Sequence, residues 1–156
     1  MESMKYSAEP RRFAVSYAVK GYMEKEVNTI NGEAVAREAA KVMVEKESGY
    51  LIILKEGSPV GILTESDFVK MVAQEIEPLT TKVSDIMTTP LITIDPDEDL
   101  MKASELMRKH NVKKLPVVRD GIIYGMITSG DIANKCGAYV DKAIKDVIRW
   151  TAPWGL

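Results

Sequence analysis

Apolar residues along this chain follow two rhythms, one with the period of a helix and one with the period of a strand. Val35, Ala39, Val42 and Met43 recur at helical spacing, and so do Leu100, Ala103, Leu106 and Met107. Each set predicts a helix that buries one stripe. Between and after them lie short apolar runs at residues 50–54, 59–63, 115–118 and 122–127. Asp120-Gly121 separates the last two runs and is a strong hairpin signal; Glu56-Gly57 is its weaker counterpart. Two further β-rich runs, residues 27–30 and 91–94, precede the helices. Asp95-Pro96-Asp97-Glu98 predicts a helix that starts at once, with Asp95 as N-cap, Pro96 in the first helical position and Glu98 completing a capping box. Asn31 is the corresponding cap in the first half. Residues 66 to about 75 and the stretch from Thr128 onward predict closing helices. The order strand, helix, strand, turn, strand, helix therefore occurs twice.

The two halves are copies. At an offset of sixty-four residues, with no gap, Val19, Met23, Thr29, Ile30, Ala39, Met43, Leu51, Gly57, Gly61, Thr64 and Asp67 recur as Val83, Met87, Thr93, Ile94, Ala103, Met107, Leu115, Gly121, Gly125, Thr128 and Asp131. Shared composition would give about one identity in fifteen positions, so residues 19–68 and 83–132 form an internal repeat. The implied organisation is an N-terminal segment 1–18, repeat one over 19–76, repeat two over 83–137, and a C-terminal helix and tail over 138–156. A short linker around Pro78 and Thr80-Thr81 keeps the repeats close. Repeats of this size are marginal alone and are expected to share a core and make related clefts at their seam. Outside them, residues 10–22 predict a helix carrying Phe13 and Tyr17 on one face. Val140, Ile144, Val147 and Ile148 predict an amphipathic helix ending near Pro153. Trp150 and Trp154 suit either self-packing or a subunit interface.

Composition narrows the function classes. Of 156 residues, 46% are hydrophobic and 28% charged, and the formal net charge is −2. Nothing in that balance drives the chain toward nucleic acid or an anionic membrane. No apolar run reaches the length of about 18–20 residues that spans a bilayer. Lys5, Glu9, Arg11 and Arg12 interrupt any apolar signal core near the N-terminus. The single cysteine, Cys136, excludes an intramolecular disulfide and fits a cytoplasmic setting.

The residues with chemical interest sit at the start of the closing helices. Thr64-x-x-Asp67 and Thr128-x-x-Asp131 each follow a strand and open a helix. The first N–H groups of a helix favour an anion such as phosphate. A threonine hydroxyl can add a hydrogen bond, and an ionised aspartate can accept two, which matches the two hydroxyls of a ribose. Gly61 and Gly125 allow backbone and ligand to approach closely. The same tetrads also read as capping boxes, and the two roles are compatible. Residues 108–114 form the most basic stretch; as a run they suit a helix C-terminus, while Lys113 or Lys114 could reach a cleft and meet phosphate. Repeat one has Gly49-Tyr50 there, so the two clefts should differ in affinity for phosphates. Catalysis has no foothold. His110, the only histidine, reads as exposed, Cys136 as a small buried hydrophobe, and Asp97, Glu98 and Asp99 as an acidic first helical turn. No metal-ligand cluster or nucleophile motif appears.

Taken together, Val83-Ser84-Asp85-Ile86-Met87, Leu115-Pro116-Val117-Val118 and Gly125-Met126-Ile127-Thr128-x-x-Asp131 resemble a CBS domain, the module named after cystathionine β-synthase. Repeat one resembles a diverged copy that has Ile52 in place of the proline. The resemblance implies an α+β (α/β-like) fold of two β-α-β-β-α units packed about a pseudo-twofold axis. It implies a stand-alone, non-enzymatic sensor that binds AMP, ADP, ATP, S-adenosylmethionine or a related adenosine compound between the repeats. By position, Asp67 and Asp131 would hold ribose, Thr64, Thr128, Lys113 and Lys114 would line the ribose–phosphate end, and Pro116 would flank the adenine. A homodimer and a protein partner that reads the ligand state are further expectations. Two rivals remain: a scaffold whose clefts have decayed, and a nucleic-acid binder using residues 108–114 with Arg11-Arg12, which the charge balance disfavours.

Overall fold

The structure, a computed structural model, describes residues 17–135. In repeat one, β1 (Thr29–Asn31) leads to helix α1 (Ala36–Glu45), then to the hairpin β2 (Tyr50–Lys55) and β3 (Ser58–Thr64), and to α2 (Glu65–Ala73). The strands run β1-β2-β3, with β1 parallel and β3 antiparallel to β2. Repeat two opens with a single helical turn, α3 (Val83–Ile86), followed by α4 (Leu100–His110), the hairpin β4 (Lys114–Arg119) and β5 (Ile122–Thr128), and helical residues 129–135, here α5. Both hairpins turn on two residues with positive φ, Glu56-Gly57 (51° and 78°) and Asp120-Gly121 (51° and 75°). That is the type I′ geometry whose twist matches paired strands. The bulges fall sixty-four residues apart as well, at Ile53/Leu54 and Val117/Val118.

Two expectations are corrected. Residues 91–94 do not form a full strand; only Ile94 bridges to Val117, where Ile30 pairs with Ile53 in repeat one. Proline is the cause. In repeat one the ladder includes Ile52 N–H to the Asn28 carbonyl and Gly32 N–H to the Leu54 carbonyl. The equivalents of Ile52 and Gly32 are Pro116 and Pro96, which have no N–H to give. The Ile94 N–H to the Pro116 carbonyl and the Val118 N–H to the Ile94 carbonyl are what survive. The second correction concerns the helix starts. The N-cap of α4 is Asp99, which accepts from Lys102 N at 2.8 Å, and that of α1 is Val35. Asp95 and Asn31 lie four residues earlier, where each accepts the N–H two residues on, at 2.8 and 2.9 Å. Asp95 also takes both ends of the Arg119 fork, at 2.8 and 2.5 Å. Arg119 further pairs with Asp97, which Lys20 holds at 2.6 Å. With Lys20 and Arg119 donating to it, the Asp97 carboxyl is lowered to about 2.

Between the repeats, each one completes the other. Segment 81–88 docks on repeat one: Val83 N–H donates to the Ala34 carbonyl at 2.8 Å, and Thr88 and Ile62 exchange two backbone hydrogen bonds at 2.8 and 3.2 Å. Segment 17–24 docks on repeat two in the same way. Val19 N–H donates to the Glu98 carbonyl at 2.8 Å, and Glu24 and Met126 exchange a pair, both at 2.9 Å. Every one of these contacts maps onto its counterpart by adding sixty-four to one partner and subtracting it from the other, the signature of a twofold relation. The cores follow suit. Val83, at the head of repeat two, is buried with Ala39, Met43, Leu51, Ile53 and Leu63. Val19 is buried with Ile94, Leu100, Ala103, Met107, Leu115, Val117 and Ile127. A third cluster, Tyr50, Ile52 and Met126 with Val27, Leu54, Ile62, Leu91 and Ile123 around it, draws on both sheets and forms the seam. Of the helix predicted over 10–22, the described part contains only a 3-10 turn, Val19–Gly21. Its remainder, Cys136, the predicted C-terminal helix and both tryptophans lie outside the described residues.

Candidate functional site

Strand alternation decides which side chains reach the seam. On β2, Tyr50 and Ile52 face it, while Leu51 and Ile53 face the helices. On β4, Pro116 pairs with the seam residue Met126, and Lys114 pairs with Thr128, so both lie on the seam face. Lys113 alternates to the opposite face, that of Leu115 and Val117, and is exposed. Lys114 is half-buried and Pro116 fully buried. The two lysines are therefore not equivalent: only Lys114 looks toward the seam.

Each aspartate sits one turn into its closing helix. Asp67 is 6% exposed. Its Oδ2 accepts from Thr64 N at 2.8 Å and from Thr64 Oγ1 at 3.1 Å. Its Oδ1 faces Thr88 Oγ1 at 3.5 Å and Lys70 Nζ at 3.7 Å. Asp131 is half-buried, and its Oδ2 accepts from Thr128 N at 2.8 Å and Thr128 Oγ1 at 2.7 Å. Asp131 N–H returns a bond to Thr128 Oγ1 at 3.1 Å. Among the described residues no hydrogen bond reaches Asp131 Oδ1. Both tetrads are thus working helix caps, each worth about 1 kcal/mol, and each leaves one carboxylate oxygen turned away from the cap.

The two glycines do something other than expected. A Cβ on Gly61 would meet Met87 Sδ at 2.5 Å and the Thr88 carbonyl at 3.1 Å. A Cβ on Gly125 would overlap the Glu24 carbonyl and meet Met23 Sδ at 2.8 Å. The close approach is that of the lead segment from the other repeat, not of a ligand. An isolated glycine inside a strand run carries that signal in general terms.

Two residues at the seam margin, Glu24 and Thr88, have no signal of their own in the sequence, and a third, Tyr50, is marked there only as the uncharged counterpart of Lys114. Thr88 stands by Asp67, and Glu24 is its counterpart by offset and by pairing. Tyr50, 8% exposed, packs on Met126 of the other repeat. Its burial, with the nearby Glu24 and Asp131 carboxylates, pushes the phenol up to about 12. The Asp131 carboxylate that acts on Tyr50 belongs to repeat two, across the seam. The Met23/Met87 identity beside Glu24 and Thr88, and Tyr50 at the offset position of Lys114, are the traces of this in the sequence. A raised phenol contributes stability that is complete below pH 10 and is lost as pH rises toward 12. In ultraviolet difference titration one tyrosine is expected to ionise only near that upper limit, and Tyr50→Phe should abolish the late step; a late step that persists would assign it elsewhere.

The geometry of paired, mutually completing repeats has known relatives. The sequence matches the CBS domain at residues 19–74 and again at 83–137. The chain belongs to the CBS domain family. A CBS domain-containing protein of Bacillus subtilis, YhcV, is 30% identical over 116 residues, which cover 74% of this chain and 83% of YhcV. The CBS domain pair of protein MJ0100, solved in complex with 5′-methylthioadenosine and S-adenosyl-L-methionine, superposes with a TM-score of 0.71 at 32% identity. That match covers 78% of this chain and 97% of the pair. A hexameric CBS-CP12 protein from bloom-forming cyanobacteria has a TM-score of 0.67 at 31% identity, covering 74% and 68%. In other relatives the matched stretch is part of a longer chain; it spans 23% of a homoserine O-acetyltransferase from Methanohalobium evestigatum. Among the described residues of the CBS pair, no helix is long and apolar enough to cross a membrane. No group of His, Cys, Asp and Glu side chains there is placed to hold a metal ion.

Proposed function

We propose that this CBS pair is a non-enzymatic regulatory module that binds adenosine compounds at the margins of the seam and signals their presence to a protein partner. The observation that carries this reading is the symmetric placement of two capped aspartates, Asp67 and Asp131, each within reach of side chains from the opposite repeat. Ribose hydroxyls would take the carboxylate oxygens left outside the caps, in place of the long Thr88 contact at Asp67; Thr64 and Thr128 would line the sugar, and accessible neighbours of the fully buried Pro116 would flank the base. The complex of the MJ0100 pair with two adenosine compounds supports the ligand class. Homodimerisation and a cytoplasmic setting belong to the same proposal. Because both ligand walls cross the seam, ligand would favour one relative setting of the repeats, by as much as its affinity differs between settings.

Both aspartates are also satisfied caps without ligand, which is what a scaffold with vacant clefts would show. Thermal unfolding separates the two. At one hundred times its dissociation constant, a ligand specific for the folded state adds about 2.7 kcal/mol. A panel of AMP, ADP, ATP, S-adenosylmethionine and 5′-methylthioadenosine is expected to contain at least one compound that raises the midpoint. A flat panel at millimolar concentration would discard the sensor reading.

A further inference from the structure

The two sites are related by symmetry in their backbone but not in their charge. At the Asp67 site the opposite-repeat strand contributes Thr88, bridged to Ile62, with its hydroxyl 3.5 Å from Asp67 Oδ1. At the Asp131 site the same bridge, to Met126, brings Glu24 instead. The seam-facing residue at the head of the central strand is Tyr50 where the aspartate opposite is Asp131. The sixty-four-residue relation puts Lys114 in that place opposite Asp67. Finally, Lys70 lies 3.7 Å from Asp67, and its counterpart beside Asp131 is the neutral Asn134. One margin therefore gathers a carboxylate with Lys70 and a threonine, and the repeat relation aims Lys114 at it as well; the other gathers two carboxylates with a phenol, and an amide stands at the place of Lys70. Glu65 does not blur the contrast, since it leans on Gly49 on the helix side of β2.

We infer that the two sites sort adenosine compounds by charge: the Asp67 site takes a 5′-phosphate, and the Asp131 site takes a compound whose 5′ substituent is neutral or cationic. This rests on the adenosine reading above. A phosphate brought beside Glu24 and Asp131 would meet two like charges in a partly desolvated margin, where a single such pair is worth several-fold to a hundredfold in affinity. A sulfonium or thioether meets no such barrier. Beside Asp67, Lys70 supplies the opposite charge at 3.7 Å, and Lys114 adds to it by the repeat relation. One chain could then register a phosphorylated and an unphosphorylated adenosine compound at the same time.

Isothermal titration of the full chain tests this with AMP and 5′-methylthioadenosine as probes. The unmodified protein is expected to bind one equivalent of AMP and to keep a site for methylthioadenosine when saturated with AMP. Lys114→Met should weaken AMP roughly tenfold and leave methylthioadenosine unchanged. Glu24→Lys changes an exposed side chain whose backbone makes the inter-repeat bonds, so it should fold; it should raise the AMP stoichiometry from one to two. AMP filling both sites of the unmodified protein with affinities within about threefold would overturn the charge sorting and leave the adenosine reading standing. A stoichiometry that stays at one in Glu24→Lys would do the same. Failure of every adenosine compound to bind would overturn both.

Discussion

Gly125→Ala is expected to destabilise the protein by about 3 kcal/mol, roughly a 10 °C fall in unfolding midpoint for a chain of this length. The new methyl would overlap the Glu24 carbonyl oxygen, which belongs to a backbone bonded to Met126 in both directions. No rotamer change relieves that clash. Either the segment carrying Glu24 moves off β5 and gives up two hydrogen bonds, at about 1 kcal/mol each, or the strand itself bends. Reduced freedom of the unfolded chain returns less than 1 kcal/mol, so the sign is not in doubt. Gly61→Ala is the internal control. Its nearest neighbour is the thioether of Met87 at 2.5 Å, a flexible side chain, and the backbone oxygen of Thr88 stands off at 3.1 Å. About 1 kcal/mol is expected there. Urea denaturation of both variants measures the difference. Equal costs would mean that the lead segments are not held as tightly as these contacts require.

Much of the architecture was legible because it is written twice. The offset of sixty-four residues, the Asp120-Gly121 turn and the two helical stripes are local patterns, and α1, α4 and both hairpins lie within three residues of where those patterns end. The misses have local causes too. Asp95 and Asp99 are equally good caps four residues apart, and only the burial of Leu100 and the engagement of Asp95 by Arg119 decide between them. The run at 91–94 has strand composition, yet the donors it needs fall on two prolines, Pro96 just beyond it and Pro116 on the neighbouring strand. At the candidate site, the threonines and aspartates were visible from their repetition. Glu24 was not, and Tyr50 was visible only as the counterpart of Lys114, because their partners lie in the other repeat and no periodicity within one copy points there. Of the two lysines, strand alternation singles out Lys114, a distinction available once the strand start is known.

The exchange of lead segments leads to the second large effect: separated at the linker, residues 1–79 and 80–156 are each expected to be unfolded as monomers and to fold when mixed. The first half keeps its strands and helices but loses Val83 from its core and six backbone hydrogen bonds involving residues 81–88 (Ala36 N–H to Thr81, Thr81 N–H to Glu77, Val83 N–H to Ala34, Ser84 N–H to Gly32 and two between Thr88 and Ile62). A buried valine is worth about 1.5–3 kcal/mol and each net hydrogen bond about 1 kcal/mol. Tyr50 and Ile52 would also lose Met126 and face water. Those losses match or exceed the total stability of an ordinary domain, about 5–15 kcal/mol, and a half of this size starts near the lower end. The second half loses Val19 and the symmetric set of bonds, so the argument holds in both directions. Mixing restores each missing segment, because each half carries the piece its partner lacks. Amide chemical-shift dispersion, followed with sedimentation to keep monomers in view, reads the outcome. A half that shows native dispersion and cooperative unfolding as a monomer would mean that the repeats are independent domains in contact. In that case ligand could not act by resetting one against the other through shared strands.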